Sequence, residues 1–478
     1  MTIPQVLKLL PPHLVVTDSR YVEEGGCFVC VCDSYEESRI YIQKALDKGA
    51  LFIVCGVGHE KPFQEKFKKI SFFPCSSPRF ILSELSHFLH PNHPPYLAAV
   101  TGTNGKSSVV SFMRQLFGLN NICAASVGTL GVVTTHAQKV TMSPLTTPGA
   151  LELHKLLEQL ASINIEVAAL EASSHGLHQY RLHHVPLACA GFTNLSQDHL
   201  DYHKTMENYF QAKCQLFSEV LGPGKVAVLN KDSDFFHPLT AICEQRRQHV
   251  VSYSLHEQAD LRILNLLPTA TGFTFDLNYE GQTYENLRTS LIGQFQLENL
   301  LCATGLALAC GMPIHQCVNV FHKVMSVDGR MDCVGTKNNA HIYVDYAHTP
   351  DALEMAIKSL RNHCEGNLWV VFGCGGNRDT QKRPLMGHIA YQHADQVIVT
   401  DDNPRFENPA HIRGQIIKTC PNAKEIADRQ EAIAFAIAEL KPGDVLLVAG
   451  KGHERGQTIG SETFPFYDKD IIQTYLEE

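Results

Sequence analysis

A glycine-rich segment between residues 101 and 108 carries residue types that could bind the phosphates of a nucleotide. It reads Thr-Gly-Thr-Asn-Gly-Lys-Ser-Ser, and it follows an apolar stretch that ends at Val100. Glycines let backbone N–H groups face phosphate oxygens, a lysine neutralises charge, and a serine hydroxyl can bind magnesium. The general G-x4-G-K-[ST] pattern would need glycine at Val100, so this loop is a shorter variant; a plain glycine-rich turn with a surface lysine is the alternative. We predict that ATP binds at Gly102, Thr103, Asn104, Gly105, Lys106, Ser107 and Ser108.

Carboxylates and imidazoles follow two further apolar stretches. Glu171 comes directly after residues 165–170, and the segment 194–203, Asn-Leu-Ser-Gln-Asp-His-Leu-Asp-Tyr-His, follows residues 187–192. Ligands of open α/β sheets bind beyond the carboxyl ends of strands, so we expect Glu171 beside the phosphate loop, where it would bind magnesium. With His175, His178, His183 and His184, the segment could also suggest zinc, but the spacing fits no HExxH or Cys/His pattern.

Strand-like and helical patterns alternate along the chain, and these elements must position the polar residues. The alternation predicts an α/β fold with mostly parallel sheets. A proline-rich connector at residues 91–95 and a break near residues 327–330 suggest domain boundaries. A long helical pattern covers residues 297–324. We predict three domains: residues 1–94, a central parallel-sheet ATPase domain with the phosphate loop at 95–328, and a C-terminal Rossmann-like α/β domain at 329–478.

Composition limits the possible partners and the cellular compartment. The 478 residues carry a net charge of −9, which argues against a general nucleic-acid or membrane-surface binder. Residues 1–14 contain one lysine and no long apolar run, so we expect neither a secretory signal nor membrane insertion, and a cytoplasmic location. Most of the 16 cysteines lie in apolar runs, which favours buried, reduced thiols. The Cys27–Cys30 CxxC has no second pair at zinc spacing and is interpreted as part of a strand.

In the order of these motifs the chain resembles the Mur ligase family of cell-wall synthesis. The resemblance implies that Lys213 is the family's carbamylated lysine. It also extends to the Gly-Gln-Phe-Gln-Leu-Glu-Asn segment 293–299, to residues 329–331 and to Val-Asp-Tyr-Ala-His-Thr-Pro at 344–350. Gln296 departs from the family's asparagine, so it is not carried over as a nucleotide contact. The further ATP contacts implied are Asn299, Arg330, Asp345 and His348.

Within the family, the chain is most similar to the MurE branch. The similarity lies in Leu-Thr-Thr-Pro at 145–148, in residues 373–384 and in Asp-Asn-Pro-Arg at 402–405, which marks branch members that use meso-diaminopimelate. Lysine lacks the distal carboxylate of that amino acid, and an arginine can bind such a carboxylate through two hydrogen bonds. The implied amino-acid pocket consists of Arg378, Asp402, Asn403, Pro404, Arg405, Gly450 and Glu454.

The resemblance also implies a second substrate, a reaction route and a metal. The N-terminal domain would bind the uridine end of UDP-N-acetylmuramoyl-L-alanyl-D-glutamate, and the residues implied for this substrate are Ser19, Thr146, Thr147, Ser173, Gln179 and Arg181. ATP would convert the D-glutamate γ-carboxylate into an acyl phosphate, which the diaminopimelate amine then attacks. The implied catalytic residues are Lys106, Glu171, His199 and Lys213, and the implied Mg²⁺ ligands are Ser107, Glu171, His199 and Lys213. We expect a monomer.

Three alternatives stay open. A lysine-adding ligase of the same branch would share the fold, and Arg405 argues against it. A folylpoly-γ-glutamate synthetase also uses a related phosphate loop, but it gives no reason for the tetrapeptide at 402–405. A regulatory ATPase that ligates nothing would need only the phosphate loop and Glu171.

Overall fold

A computed structural model describes residues 10–135, 140–143, 145–269 and 271–477. The expectation for residues 1–14 falls mostly outside these ranges. The chain separates into two compact units, the first formed by residues 1–252 and 302–312 and the second by residues 253–301 and 313–478. The predicted domain boundaries near residues 94 and 328 stay predictions. Each unit contains helices and a mostly parallel sheet, which confirms the α/β class predicted from the sequence.

The first part of unit one is a small parallel sheet with the strand order β1-β2-β3-β4. Its strands are β1 Val15–Val16, β2 Cys27–Val29, β3 Phe52–Gly56 and β4 Ser71–Cys75. Its helices are α1 Tyr35–Asp47, α2 Lys61–Gln64 and α3 Pro78–Leu89, with short 3-10 turns at Pro12–Leu14 and Ser19–Tyr21. The CxxC segment therefore begins in a strand, and Cys27 and Cys30 are buried free thiols.

The larger sheet of unit one has the strand order β10-β9-β5-β8-β6-β7, and only β7 runs antiparallel to its neighbour. These strands are β5 Tyr96–Thr101, β6 Ala124–Gly128, β7 Gly131–Thr134, β8 Val167–Glu171, β9 Cys189–Phe192 and β10 Val226–Asn230. The helices are α4 Lys106–Leu119, α5 Ala150–Ser162, α6 Ser174–His178, α7 Leu200–His203, α8 Met206–Gln215 and α9 Phe236–Gln245, and a π-helical turn covers Leu216–Val220. Buried parallel strands are continuous apolar runs, which is why β5, β8 and β9 were recognisable in the sequence.

Unit two contains a meander followed by a second parallel sheet. The meander consists of β12 Leu261–Thr269, β13 Gly272–Tyr279 and β14 Gln282–Thr289, and β11 His249–Ser254 joins it through its last two residues. The sheet has the order β15-β16-β20-β17-β18-β19, with only β15 antiparallel. Its strands are β15 Asp332–Lys337, β16 Ala340–Asp345, β17 Leu368–Phe372, β18 Gln396–Val399, β19 Lys424–Glu425 and β20 Val445–Ala449, followed by the hairpin β21 Gly456–Ile459 and β22 Glu462–Pro465. Its helices are α12 Pro350–Arg361, α13 Lys382–His393, α14 Pro409–Ile417, α15 Arg429–Glu439 and α16 Asp468–Glu477.

The helical pattern predicted over residues 297–324 is divided in the structure. It becomes α10 Gln294–Ala309, α11 Ile314–Val318 and a 3-10 turn at Phe321–Lys323. Gly311 has a φ of 91°, and Pro313 is the N-cap of α11. A glycine in the left-handed conformation ends a helix, and a proline cannot continue one. The periodic apolar pattern of the sequence therefore continues across a position where the helix ends.

A fully buried ion pair ties the last described helix to the central strand of this sheet. The Nε and Nη2 atoms of Arg429 each donate to the carboxylate of Asp468 at 2.8 Å. Nη2 also donates to the carbonyl oxygen of Ala449, the last residue of β20. Burial of two charges is tolerated only when they are paired and hydrogen-bonded, so this contact fixes α15, α16 and the end of β20 together.

No helix among the described residues is both long and apolar enough to cross a bilayer.

Candidate functional site

The phosphate loop joins β5 to α4, and its backbone path depends on two glycines. Gly105 precedes α4 with a φ of 88°, and Gly102 has a φ of 153°. A Cβ atom on Gly102 would lie 1.9 Å from Oγ1 of Thr193. Since real Cβ atoms never approach another heavy atom so closely, only glycine allows this loop to lie against the residues that follow β9.

Gly102→Ala is expected to displace the loop, lower stability by about 1–3 kcal/mol and reduce ATP binding. Thermal denaturation and titration with an ATP analogue would measure the two effects. Gly131→Ala is the matched control, because Gly131 also has a positive φ but a Cβ atom there would meet nothing within 4 Å. Equal losses in both variants would attribute the effect to backbone strain alone and contradict the steric argument.

The segment that follows β9 holds the phosphate loop through several hydrogen bonds. The backbone N–H of Thr103 donates to the carbonyl oxygen of Asn194 at 2.9 Å, and that of Asn104 donates to Oδ1 of the same residue at 2.9 Å. The Thr193 hydroxyl donates to the carbonyl oxygen of Asn104 at 2.6 Å. Oγ1 of Thr103 also bonds to the backbone of Ser196. The start of the segment 194–203 therefore lies against the phosphate loop.

Two lysines converge on one carbonyl of the loop. Nζ of Lys106 donates to the carbonyl oxygens of Gly102 and Thr103 at 2.9 and 2.8 Å. Nζ of Lys213, from α8, donates to the same Gly102 oxygen at 2.7 Å. Lys213 is completely buried, and its ammonium lies over the ring of Tyr209 at 4.4 Å. Burial, followed by the charge of Lys106, lowers the pKa of Lys213 well below that of a free lysine.

Glu171 ends β8, directly opposite Val100 of β5 in the strand register. Its carboxylate is buried, and both of its oxygens accept hydrogen bonds from Thr129. The backbone N–H of Thr129 donates to Oε1 at 2.9 Å and the hydroxyl donates to Oε2 at 3.1 Å. The predicted position of Glu171 beside the start of the phosphate loop agrees with this register. The sequence did not indicate Thr129, although its place just after β6 could have suggested it.

The residues expected to hold the muramoyl peptide are linked to the backbone of Glu171. The hydroxyl of Thr147 donates to the Glu171 carbonyl oxygen at 2.8 Å and contacts Oγ of Ser173 at 2.9 Å. Arg181 donates from Nη1 to the carbonyl oxygen of Thr147 at 2.6 Å and from Nη2 to Oε1 of Gln179 at 2.6 Å. Oγ1 of Thr146 lies 3.1 Å from that of Thr129. Five of the six predicted residues therefore form one polar cluster: Thr146, Thr147, Ser173, Gln179 and Arg181.

Ser19, the sixth, lies in the small sheet of the first unit. It is buried and begins the 3-10 turn Ser19–Tyr21. The cap of that turn is Asp18, whose side chain accepts the backbone N–H of Arg20. The carboxylate also pairs with the Arg20 guanidinium, which lowers the pKa of Asp18. Asp18, and not Ser19, therefore supplies the cap of this turn.

A group of imidazole and phenol rings adjoins the loop. The ring centroid of His175 lies 4.9 Å from that of His199 and 5.5 Å from that of His203. Burial lowers the pKa of His199, and it lowers that of His203 to about 4, so the His203 ring is neutral at pH 7. Among the described residues, no three histidine, cysteine or carboxylate side chains converge closely enough to hold a metal ion by themselves. The rings of His175 and His199 meet edge to face, with an angle of 89° between their planes.

The second unit carries the other residues expected to contact ATP. The carboxylate of Asp345, at the end of β16, accepts the backbone N–H groups of Met331 at 2.6 Å and Ala347 at 2.8 Å. Burial raises its pKa, while the nearby Arg330 acts in the opposite direction. The Arg330 guanidinium lies 4.3 Å from the ring centroid of Tyr346. Lys382 donates to the carbonyl oxygen of His348 at 2.8 Å.

Gln296, the residue that departs from the family's asparagine, is fully buried. Its Nε2 donates to the carbonyl oxygen of Arg330 at 3.3 Å, and its Oε1 accepts from Nδ2 of Asn299 at 3.0 Å. Gln296 therefore connects two predicted nucleotide contacts. The extra methylene of glutamine relative to asparagine lets one side chain reach both neighbours.

The predicted amino-acid pocket lies at the carboxyl ends of β17, β18 and β20. Asn403 donates from Nδ2 to Oε2 of Glu454 at 2.9 Å. Nη1 of Arg405 donates to the carbonyl oxygen of Gly376 at 2.8 Å. A Cβ atom on Gly450 would lie 3.0 Å from Oδ2 of Asp402, and one on Gly376 would lie 1.9 Å from the carbonyl oxygen of Pro404. Arg378 is exposed beside this group. The structure therefore brings the seven predicted residues to the carboxyl end of the sheet.

A buried arginine that the sequence did not indicate holds this pocket in place. Arg383 is inaccessible to solvent and donates from both terminal nitrogens to the carboxylate of Glu407, at 2.9 and 3.0 Å. It also donates to the carbonyl oxygen of Gly375 at 3.1 Å. Glu407 in turn accepts the backbone N–H of Asn377. Lys382, Arg383 and Pro384 begin α13, and no local pattern in this sequence indicates that the arginine is buried.

The chain is similar to known proteins over most of its length. The family model for the Mur ligase middle domain matches residues 100–307, and that for the Mur ligase glutamate ligase domain matches residues 329–452. A Rhizobium meliloti protein named UDP-N-acetylmuramoyl-L-alanyl-D-glutamate–2,6-diaminopimelate ligase is 42% identical over 97% of this chain and 93% of its own length. A namesake from Anaplasma marginale is 40% identical over 97% and 96%. A solved structure of the same name superposes with a TM-score of 0.72 at 34% identity, covering 97% of this chain and 94% of that one.

Proposed function

Because this chain belongs to the Mur ligase family, we propose that it is the ATP-dependent ligase that adds meso-2,6-diaminopimelate to UDP-N-acetylmuramoyl-L-alanyl-D-glutamate in peptidoglycan precursor synthesis. The observation that carries the proposal is the 42% identity, over 97% of the chain, to a relative with that name. The pocket formed around Asn403, Arg405 and Glu454 supports it chemically, since it offers both a guanidinium and a carboxylate to an amino acid.

The phosphate loop fits the triphosphate of ATP. At Gly102 its backbone packs closely against Thr193. Lys106 lies at the start of α4, and its ammonium donates to the carbonyl oxygens of the loop. When ATP binds, that ammonium would turn to the phosphates, which are stronger acceptors, and the N-terminus of α4 would add positive potential. Asn299, Arg330, Asp345 and His348 would provide the remaining nucleotide contacts.

Residues around the loop also fit a magnesium ion. Magnesium binds few protein oxygens and usually shares its shell with substrate phosphates, so the hydroxyl of Ser107 and the carboxylate of Glu171 suffice as a protein donor set. Both are buried beside the loop, and Thr129 fixes the Glu171 carboxylate. His199 and a carbamate on Lys213 would hold a second ion. Bound magnesium would neutralise phosphate charge.

The reaction follows from what the chain presents to its substrates. The D-glutamate γ-carboxylate attacks the γ-phosphorus of ATP, the bond to the bridging oxygen of ADP breaks, and an acyl phosphate forms. Lys106 neutralises the charge that gathers on the transferred phosphoryl group. The diaminopimelate amine then attacks the acyl carbon, the tetrahedral intermediate loses phosphate and a proton, and the amide remains. Thr146, Thr147, Ser173, Gln179 and Arg181 would orient the peptide, and Ser19 the uridine end.

Lys213 is expected to carry a carbamate. Burial favours the neutral form of this amine, and a neutral amine adds CO₂ to give a carbamate and a proton. Protein incubated with ¹³C-bicarbonate is expected to show a carbamate carbon signal in the NMR spectrum. The signal should disappear in Lys213→Met and persist in Lys106→Met. A signal of equal size in Lys213→Met would assign the carbamate to another amine and contradict the prediction.

The test of the function is ATP-dependent phosphate release in the presence of UDP-N-acetylmuramoyl-L-alanyl-D-glutamate. The assay compares meso-diaminopimelate, L-lysine and no amino acid, and it records the product mass. Release with a matching product only for meso-diaminopimelate is expected. Equal turnover of lysine would favour the lysine-adding alternative, and release without any product would favour the regulatory ATPase. The same assay with a folate substrate tests the folylpolyglutamate alternative. A cytoplasmic monomer is part of the proposal.

A further inference from the structure

Lys451 is a buried lysine between the two polar residues that close the amino-acid pocket. Its side chain is inaccessible to solvent. Nζ donates to Oδ1 of Asn403 at 3.0 Å, to the carbonyl oxygen of Gly456 at 2.7 Å and, at 3.4 Å, to Oε2 of Glu454. All three hydrogens of the ammonium are thus directed at protein oxygens, and none of them can serve a ligand.

These contacts determine which way the side-chain amide of Asn403 faces. Oδ1 accepts from Lys451 and from the backbone N–H of Thr458 at 3.0 Å. With two donors on Oδ1, the amide nitrogen must face the other way, and it donates to Oε2 of Glu454 at 2.9 Å. A reversed amide would place its own N–H groups against the Lys451 ammonium.

The two oxygens of the Glu454 carboxylate consequently differ in the hydrogen bonds that they accept. Oε2 accepts from both Asn403 and Lys451, whereas Oε1 accepts from no donor in the described part of the chain. One third of the Glu454 side chain is exposed, so the side chain is not sealed within the protein. An amino-acid ammonium is the natural partner for a carboxylate oxygen held in this way.

We propose that Lys451 is a positioning residue for the amino-acid substrate, because it locks Asn403 and Glu454 so that Oε1 of Glu454 is presented to a substrate ammonium. The inference rests on the proposed function. Lys451 would contact no substrate itself, and its effect would pass through Glu454.

A double-mutant cycle tests this role. Lys451→Met is expected to raise the KM for meso-diaminopimelate by about 10- to 100-fold, because the unlocked carboxylate binds the ammonium less well. The KM values for ATP and for the muramoyl dipeptide, and kcat at saturating diaminopimelate, should change by less than about 3-fold. In a Glu454→Gln background, the same substitution should have little further effect on the diaminopimelate KM.

Several outcomes would overturn the proposal. Additive effects of the two substitutions, or equal increases in all three KM values, would assign Lys451 a general structural role. If Lys451→Met does not fold, the cycle is repeated with Lys451→Gln, which retains N–H donors, and misfolding of both variants also counts against positioning. A wild-type enzyme that ignores diaminopimelate would refute the proposed function, whereas normal wild-type turnover with an unchanged KM in Lys451→Met would refute only this inference.

Discussion

Lys106→Met is expected to lower kcat/KM for ATP-dependent product formation by about 10³-fold or more, a loss typical of removing one preorganised charge from a reaction centre. The lysine is the first residue of α4, and its ammonium is held by the carbonyl oxygens of Gly102 and Thr103 within the phosphate loop. Methionine retains the length of the side chain but removes the positive charge. The measurement is the rate of ligated product by mass spectrometry, with ATP and both other substrates varied.

Lys155→Met is the matched control, because Lys155 is exposed on α5 in the same unit. It should keep near wild-type activity. Melting temperatures of both variants should lie close to that of the wild type, since the hydrogen bonds from Lys106 to the carbonyl oxygens of Gly102 and Thr103 stay within one loop. A Lys106→Met enzyme with more than about a tenth of wild-type kcat/KM would refute the assigned role in phosphoryl transfer.

Arg405→Met is expected to reduce kcat/KM for meso-diaminopimelate by about 10²- to 10⁴-fold and to abolish discrimination against lysine. One terminal nitrogen of Arg405 is used by the Gly376 carbonyl, which leaves the rest of the guanidinium for the distal carboxylate of the substrate. Methionine would desolvate that carboxylate without pairing it. The measurement is the ratio of kcat/KM values for the two amino acids.

Arg361→Met is a suitable control in the same sheet domain, because its ion pair with Asp395 is more than one-third exposed. Exposed pairs of this kind contribute about 0–1 kcal/mol, so activity and selectivity should be retained. If Arg405→Met keeps its preference for diaminopimelate, selectivity would have to come from Arg378 or from the shape of the pocket.

Much of the nucleotide-binding site could be predicted because the sequence patterns that indicate it are local. An apolar strand followed by glycines and a lysine specifies both the element and its chemistry within ten residues. The register of β5 with β8 then brings Glu171 opposite Val100, as the general rule on strand ends predicts.

The residues that fix these groups could not be predicted in the same way. Thr129 holds Glu171 from 42 residues away, and the contact exists only because β8 lies between β5 and β6. Strand order is a property of the whole sheet, and no local pattern encodes it. Arg383 and Lys451 were missed for a related reason, since charged residues are usually exposed and burial depends on partners distant in the sequence.

The ion pair between Arg429 and Asp468 affects the order in which the newly synthesised chain can form its structure. Asp468 follows Arg429 by 39 residues, and until it leaves the ribosome the guanidinium lacks the carboxylate to which it is hydrogen-bonded. The end of β20, which precedes Gly450, therefore gains its contact with this ion pair only late in translation. The phosphate loop and the segment that supports it leave the ribosome more than two hundred residues earlier by sequence position. The nascent chain thus contains the phosphate loop and its supporting segment well before it contains the complete amino-acid pocket.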